Sequence, residues 1–261
     1  MNSSALQHRA TESSLRGRQW LRHFDGCREP ALRLFCFPYA GSGPSIYRDW
    51  PELLLPAVAL AGVVYPGREA RASEPPERDL EAIVEPLSQA ILPYLDKPFA
   101  FFGHSMGAYV AYELSRRLEQ RHGIRPEHLF LSAAGAPHLP EPHPIHHLPP
   151  AEFLRALLRL NGFPREVLSD ARQVRQSLPV LRADFSACEN YQYQVGSPLM
   201  FPLSVYGGSS DARVAPQRLE AWRQHAGVAF SMTLFDGDHF YLRPQKSRLL
   251  SAMNQELAGL I

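Results

Sequence analysis

The chain has 261 residues, 45% of them hydrophobic; one large domain of this size hides about 70–75% of the surface its unfolded form exposes, so a core and a sheltered cleft need no staples. Its 27 Lys and Arg against 26 Asp and Glu leave a net charge of +1, which gives no field for gathering nucleic acid. Cys27, Cys36 and Cys188 are an odd number without metal-ligand spacing, so reduced thiols and a cytoplasmic setting are expected.

Residues 1 to about 28 are polar, carry Arg9, Arg16, Arg18 and Arg22, and have no apolar block behind them, so we expect a loose arm with neither a secretory signal nor a membrane span. From Leu32 the chain alternates short apolar runs with amphipathic stretches, the pattern of a mostly parallel sheet with helices on both faces. Strands are predicted over residues 32–37 and 58–64, then a helix over 79–95 that Asp79 caps and Pro86 bends. A strand over 99–102 runs into a helix over 106–121, whose Tyr109, Val110, Tyr112, Leu114 and Leu118 form the inward stripe. A strand over 128–132 follows. The alternation then stops, and a Pro- and His-rich loop over 137–150 leads to helices over 151–160 and 177–193. We read residues 133–202 as a helical lid inserted into a core made of 29–132 and 203–261, because insertions after a central strand overhang the carboxyl ends where ligands bind. Strands over 203–206 and 230–235, a short helix over 216–225 and a last helix over 244–260 complete the chain.

The most informative stretch is Phe99-Ala-Phe-Phe-Gly103-His104-Ser105-Met106-Gly107, a buried strand entering Gly-x-Ser-x-Gly and then a helix. A nucleophilic serine on such a sharp turn needs glycines two before and two after it, and the helix behind it aims free N–H groups at a forming oxyanion. Ser105 is therefore the expected nucleophile and the Met106 amide an oxyanion donor. In this α/β-hydrolase arrangement the partners follow in the order acid, then histidine. His239, after the last strand, meets the condition for the base, whereas His225 reads as a solvated helix residue. Asp211 follows the preceding strand and a glycine turn, with Asp236 and Asp238 as rivals set too near His239 in sequence. The loop Phe37-Pro-Tyr-Ala40-Gly41-Ser-Gly43 is the expected source of the second oxyanion donor, the Ala40 amide, with Tyr39 as a contributor.

Four segments taken together resemble type II thioesterases, the stand-alone enzymes of polyketide and nonribosomal peptide synthesis and of medium-chain fatty acid release. They are Cys-Phe-Pro-Tyr-Ala-Gly at 36–41, Tyr-Pro-Gly-Arg-Glu at 65–69, Gly-His-Ser-Met-Gly at 103–107 and Gly-Asp-His-Phe-Tyr at 237–241. The similarity runs from Leu32 to the C-terminus and includes Leu178-Pro-Val-Leu-Arg-Ala-Asp-Phe and Glu189-Asn-Tyr-Gln-Tyr193. It implies an α/β-hydrolase fold and hydrolysis of acyl or aminoacyl groups from the phosphopantetheine arm of an acyl- or peptidyl-carrier protein. It also implies the triad Ser105, Asp211 and His239, with Ala40 and Met106 as oxyanion donors. No cofactor, metal, nucleic acid or membrane is expected, and the enzyme is expected to be a monomer. Ser42 and Asp238 stand where the family has glycine; neither position carries a reacting group.

Other signals have bland readings beside the sharp ones. His138, His143, His146 and His147 lack thiol companions and read as solvated loop residues instead of a metal site. Arg155, Arg159, Arg165, Arg172, Arg175 and Arg182 make the insertion basic, which fits either docking of an acidic carrier protein or an ordinary solvated face. Phe153, Leu154, Leu157, Leu158 and Phe163 either line an acyl pocket or bury one helix face, with burial the default. Arg68 and Glu69 read as a structural ion pair. Oxygen-ester hydrolysis, acyl transfer and a non-catalytic binding module are the competing functions.

Overall fold

The computed structural model describes residues 19–24, 27, 29–159 and 171–261, and in it the six expected apolar runs lie side by side in one sheet. A short first strand, β1 (Leu21–His23), is followed by β2 (Leu32–Phe37), β3 (Val58–Val63), β4 (Phe99–His104), β5 (His128–Ser132), β6 (Leu203–Gly208) and β7 (Phe230–Phe235). Their order across the sheet is β1-β3-β2-β4-β5-β6-β7, and every neighbouring pair is parallel except β1 with β3.

The strand β1 corrects the expectation of a loose arm reaching residue 28. Leu21 is buried opposite Val63, and His23 pairs with Ala61, so the sheet begins before residue 24. Three residues are too few to show a period, which is why the sequence pattern missed them. Residues 1–18 of the expected arm lie outside the described residues.

Both faces of the sheet are covered, so the central strands are apolar throughout instead of alternating. Phe35, Phe37, Phe99 and Phe101 join one core layer, and Leu34, Cys36, Ala100 and Phe102 join the other, as the period of two requires. The first layer is closed by α1 (Leu80–Ile91), through Ile83, Val84, Leu87 and Ile91, and by α2 (Met106–His122), through Val110, Ala111, Leu114 and Leu118. Asp79 caps α1 by accepting from the Glu81 amide, and α2 ends at Gly123, whose φ of +67° is the left-handed conformation that closes a helix.

Between β5 and β6 stand α3 (Pro150–Arg159) and α4 (Ala171–Glu189), joined by a small cluster of Phe153, Leu157, Leu181 and Phe185. The helix α4 starts before the expected residue 177, because its first turns are mostly polar and carry little apolar stripe, and it stops at Glu189, before the expected 193. After β6, α5 (Pro216–Glu220) runs into a 3-10 turn over Ala221–His225, and α6 (Lys246–Leu257) covers the second core layer through Leu249, Leu250, Met253 and Leu257. No helix among the described residues is long and apolar enough to cross a membrane.

Candidate active site

Ser105 sits between β4 and α2 with φ +55° and ψ −117°, a conformation that a residue with a Cβ adopts only at a cost of roughly 1–3 kcal/mol, supplied by the packing around it. The two flanking glycines are required by contact. A Cβ on Gly103 would lie 2.2 Å from the Gly107 carbonyl oxygen, and one on Gly107 would lie 2.0 Å from that of Phe37. The Ser105 amide is tied to the Ser132 carbonyl of β5 at 2.7 Å, which fixes the turn against the neighbouring strand.

The loops after β6 and β7 bring the expected partners to this hydroxyl. His239 Nε2 stands 3.0 Å from Ser105 Oγ, and His239 Nδ1 stands 2.8 Å from Asp211 Oδ2. An ionised carboxylate only accepts, so the tautomer assigned to His239 carries its proton on Nδ1 and leaves Nε2 free to accept from the serine. Asp211 Oδ1 accepts from the Arg213 and Val214 amides at 2.8 and 3.2 Å. Burial pushes the Asp211 carboxyl up, but the hydrogen bond and charge of His239 and these two amides outweigh it and hold it below its ordinary value. The arrangement can pass a proton from Oγ to Nε2 and hold the resulting imidazolium.

The two rivals are engaged elsewhere. Asp236 pairs at the surface with Arg248 at 3.5 Å, and Asp238 accepts from the Phe240 amide.

The pocket in front of Ser105 is lined by Ala40, Met106, Leu157, Leu181, Phe185 and His239, among others. Among the described residues neither the Ala40 nor the Met106 amide is hydrogen bonded, so both are available to an oxygen in the pocket. Tyr39 also borders the pocket, its hydroxyl accepting from Arg243 Nη2 at 2.6 Å. Phe153 does not border it; its ring is fully buried between α3 and α4, with the Arg182 guanidinium 4.2 Å from its centre. Leu157 does both, and Arg155 and Arg159 lie exposed on the outer side of α3. Leu160, Phe163 and Arg165 lie outside the described residues.

Several expectations need correction. His225 is buried, not solvated: Nδ1 is 3.1 Å from the Tyr112 hydroxyl and Nε2 is 2.8 Å from His138 Nδ1. Burial, then the nearby charges of His138 and Arg116, bring its pKa down to about 4. Nor are all the loop histidines solvated, since His146 Nδ1 bonds to Glu189 at 2.8 Å. Arg68 and Glu69 do not pair with each other. Arg68 forks onto Asp184 of α4 at 2.6 and 2.7 Å, while Glu69 accepts from Ser45 and pairs with Arg22. Among the described residues no cluster of His, Cys, Asp and Glu is placed to hold a metal ion.

Sequence reasoning missed a buried chain beneath the base. His104 Nδ1 bonds to Ser132 Oγ at 2.8 Å, and that hydroxyl bonds to the Tyr241 hydroxyl at 2.5 Å. Burial first, then the His239 and Arg243 charges, hold the His104 imidazole well below its ordinary pKa, so a neutral ring packs 5.4 Å from that of His239. Its position inside Gly-x-Ser-x-Gly was visible; its partners, 28 and 137 residues away, were not.

The family model for the thioesterase domain matches residues 32–257. The chain is 43% identical over 247 residues to the Brevibacillus parabrevis protein named linear gramicidin dehydrogenase LgrE, covering 93% of this chain and 94% of that one. Among solved structures it is similar to RedJ, a thioesterase from the prodiginine biosynthetic pathway of Streptomyces coelicolor, with 36% identity, a TM-score of 0.83 and 89% of each chain covered. It is similar also to BorB, a type II thioesterase from the borrelidin biosynthetic cluster, with 34% identity, a TM-score of 0.84 and coverage of 91% of this chain and 97% of that one. With its sheet order and the four sequence segments, the match over most of its length makes this chain a member of the thioesterase family, a hydrolase that acts on thioesters.

Proposed function

We propose that the enzyme frees acyl or aminoacyl groups from the phosphopantetheine arm of a carrier protein, in the editing or release steps of polyketide or nonribosomal peptide synthesis. The observation that carries this reading is the continuous relay Asp211–His239–Ser105 at the floor of a pocket whose wall includes α3 and α4. Ser105 attacks the thioester carbonyl while His239 Nε2 takes its proton; the tetrahedral oxygen is held by the Ala40 and Met106 amides; the carrier thiol leaves with the proton from His239. Water, deprotonated by the same imidazole, then releases the acid. Asp211 keeps the ring in the tautomer this sequence needs.

RedJ belongs to prodiginine biosynthesis and BorB to the borrelidin cluster, which supports a place for this enzyme in a comparable biosynthetic pathway. The residues gathered at the pocket, Ser105, His239 and Asp211, support acyl chemistry and not the dehydrogenase of the LgrE name. Helices α3 and α4 of the insertion act as a cover over the pocket, which Leu157, Leu181 and Phe185 line, and the enzyme works as a cytoplasmic monomer. A panel of acetyl-, propionyl-, medium-chain- and aminoacyl-loaded carrier proteins beside simple aryl esters, with wild type and Ser105→Ala, tests the proposal. Turnover of loaded carriers at higher kcat/KM than aryl esters, lost in Ser105→Ala, supports it; preference for aryl esters would overturn it in favour of an oxygen esterase.

A further inference from the structure

The loop that offers the Ala40 amide is held from outside the core. Asp184 of α4 has no solvent exposure, and its Oδ2 accepts from the Gly41 amide at 2.6 Å. The same carboxylate receives the Arg68 fork, and Arg68 Nη1 also donates to the Ser42 carbonyl at 3.3 Å. Two consecutive residues of the loop, Gly41 and Ser42, are thus fastened to one ion pair. Gly41 has φ +78°, and a Cβ there would lie 2.4 Å from Leu181 of the same helix, so α4 presses on the loop as well as bonding to it.

A carboxylate that accepts a bidentate guanidinium and a backbone amide is held in one orientation, and it holds its donors equally. The anchored Gly41 N–H lies in the peptide unit next to the one that carries the Ala40 N–H, and the two planes share the Ala40 Cα, so fixing the first leaves only rotation about the Ala40 φ and ψ to redirect the second. We propose that Asp184 and Arg68 are positioning residues that aim the Ala40 amide at the tetrahedral oxygen, making α4 part of the catalytic apparatus and not only a cover. This rests on the oxyanion reading given above. A group that improves the aim of a donor at the transition state acts on kcat and leaves ground-state binding nearly untouched.

The test compares wild type, Asp184→Ala and Asp184→Asn on hexanoyl-N-acetylcysteamine, with kcat scaled to sites titrated by a fluorophosphonate, and measures inhibition by hexylboronic acid, which forms a tetrahedral adduct with the serine. Asp184→Ala is expected to lower kcat tenfold or more with KM within about threefold, and to weaken the boronate by a factor similar to the loss in kcat/KM. Asp184→Asn, which keeps an acceptor for the Gly41 amide, is expected to recover most of the loss. If Asp184→Ala does not fold, Arg68→Met with Asp184→Leu removes both charges at similar volume and carries the same expectation. A kcat per titrated site within twofold of wild type, or a loss confined to KM, would overturn the proposal. Failure of the boronate to inhibit wild type competitively would instead sink the oxyanion reading beneath it.

Discussion

Replacing Asp211 by Asn isolates the tautomer from the shape of the site. In the native site Oδ1 accepts two backbone amides, from Arg213 and Val214, and Oδ2 faces His239 Nδ1. An asparagine must keep its oxygen on the two amides, because its NH2 group there would oppose two N–H donors. Its NH2 is then directed at Nδ1, which has to become an acceptor, and the ring proton moves to Nε2. That nitrogen can no longer take the serine proton. The same reversal in the serine-protease triad lowers kcat by about 10⁴ at unchanged geometry, and the matching hydrogen-bond pattern here leads us to expect a loss on the order of 10³ to 10⁴. Thiol release from hexanoyl-N-acetylcysteamine measures it, with Asp236→Asn as a control whose surface partner Arg248 predicts unchanged turnover. Circular dichroism checks that both variants are folded. More than a tenth of wild-type kcat in folded Asp211→Asn would refute the reasoning.

Three further outcomes are expected. The buried His225, with its pKa down at about 4, and His128, also at about 4, stay neutral in the fold but ionise in the unfolded chain, whose histidines titrate near 6.5. The unfolded state therefore binds more protons between those values, so Tm should fall as pH drops from about 6.5 toward 4, and less steeply in His225→Gln; parallel curves would contradict this. Gly107→Ala places a methyl against the backbone of Phe37 and Pro38, which cannot yield as a side chain would, so soluble active protein should be lost; a purified variant of wild-type Tm would show the contact is relieved. Charge reversal at Arg155 and Arg159 should raise KM for acyl-carrier protein about tenfold and leave the N-acetylcysteamine substrate unaffected; an unchanged KM for the carrier removes docking from that face.

Much of this arrangement was legible because it is local. The strand–glycine–serine–glycine–helix turn lies within nine residues and points to Ser105, and the order acid then histidine that goes with this arrangement points to His239 and, over its rivals Asp236 and Asp238, to Asp211. What escaped was long-range pairing of charge. Arg68 and Asp184 are 116 residues apart and nothing in the sequence marks them as partners, whereas Arg68 and Glu69 are adjacent, and adjacency is all that one sequence offers. His225 escapes for a related reason: a histidine in the short helix over 216–225 reads as solvated, and only the packing of Trp222 and Tyr112 around it makes it dry.

The base is suspended from the margin of the sheet. His239 follows β7, which pairs only with β6 among the described strands and leaves Leu234 and most of its other side chains partly open to water, while Ser105 is rooted in the sealed centre. Elements at such margins detach at lower free energy than the middle. The base thus hangs from an edge strand and is moored to the interior through Phe235, Tyr241 and Leu242, so a cut in that mooring would cost the enzyme its proton carrier before it cost the sheet its middle.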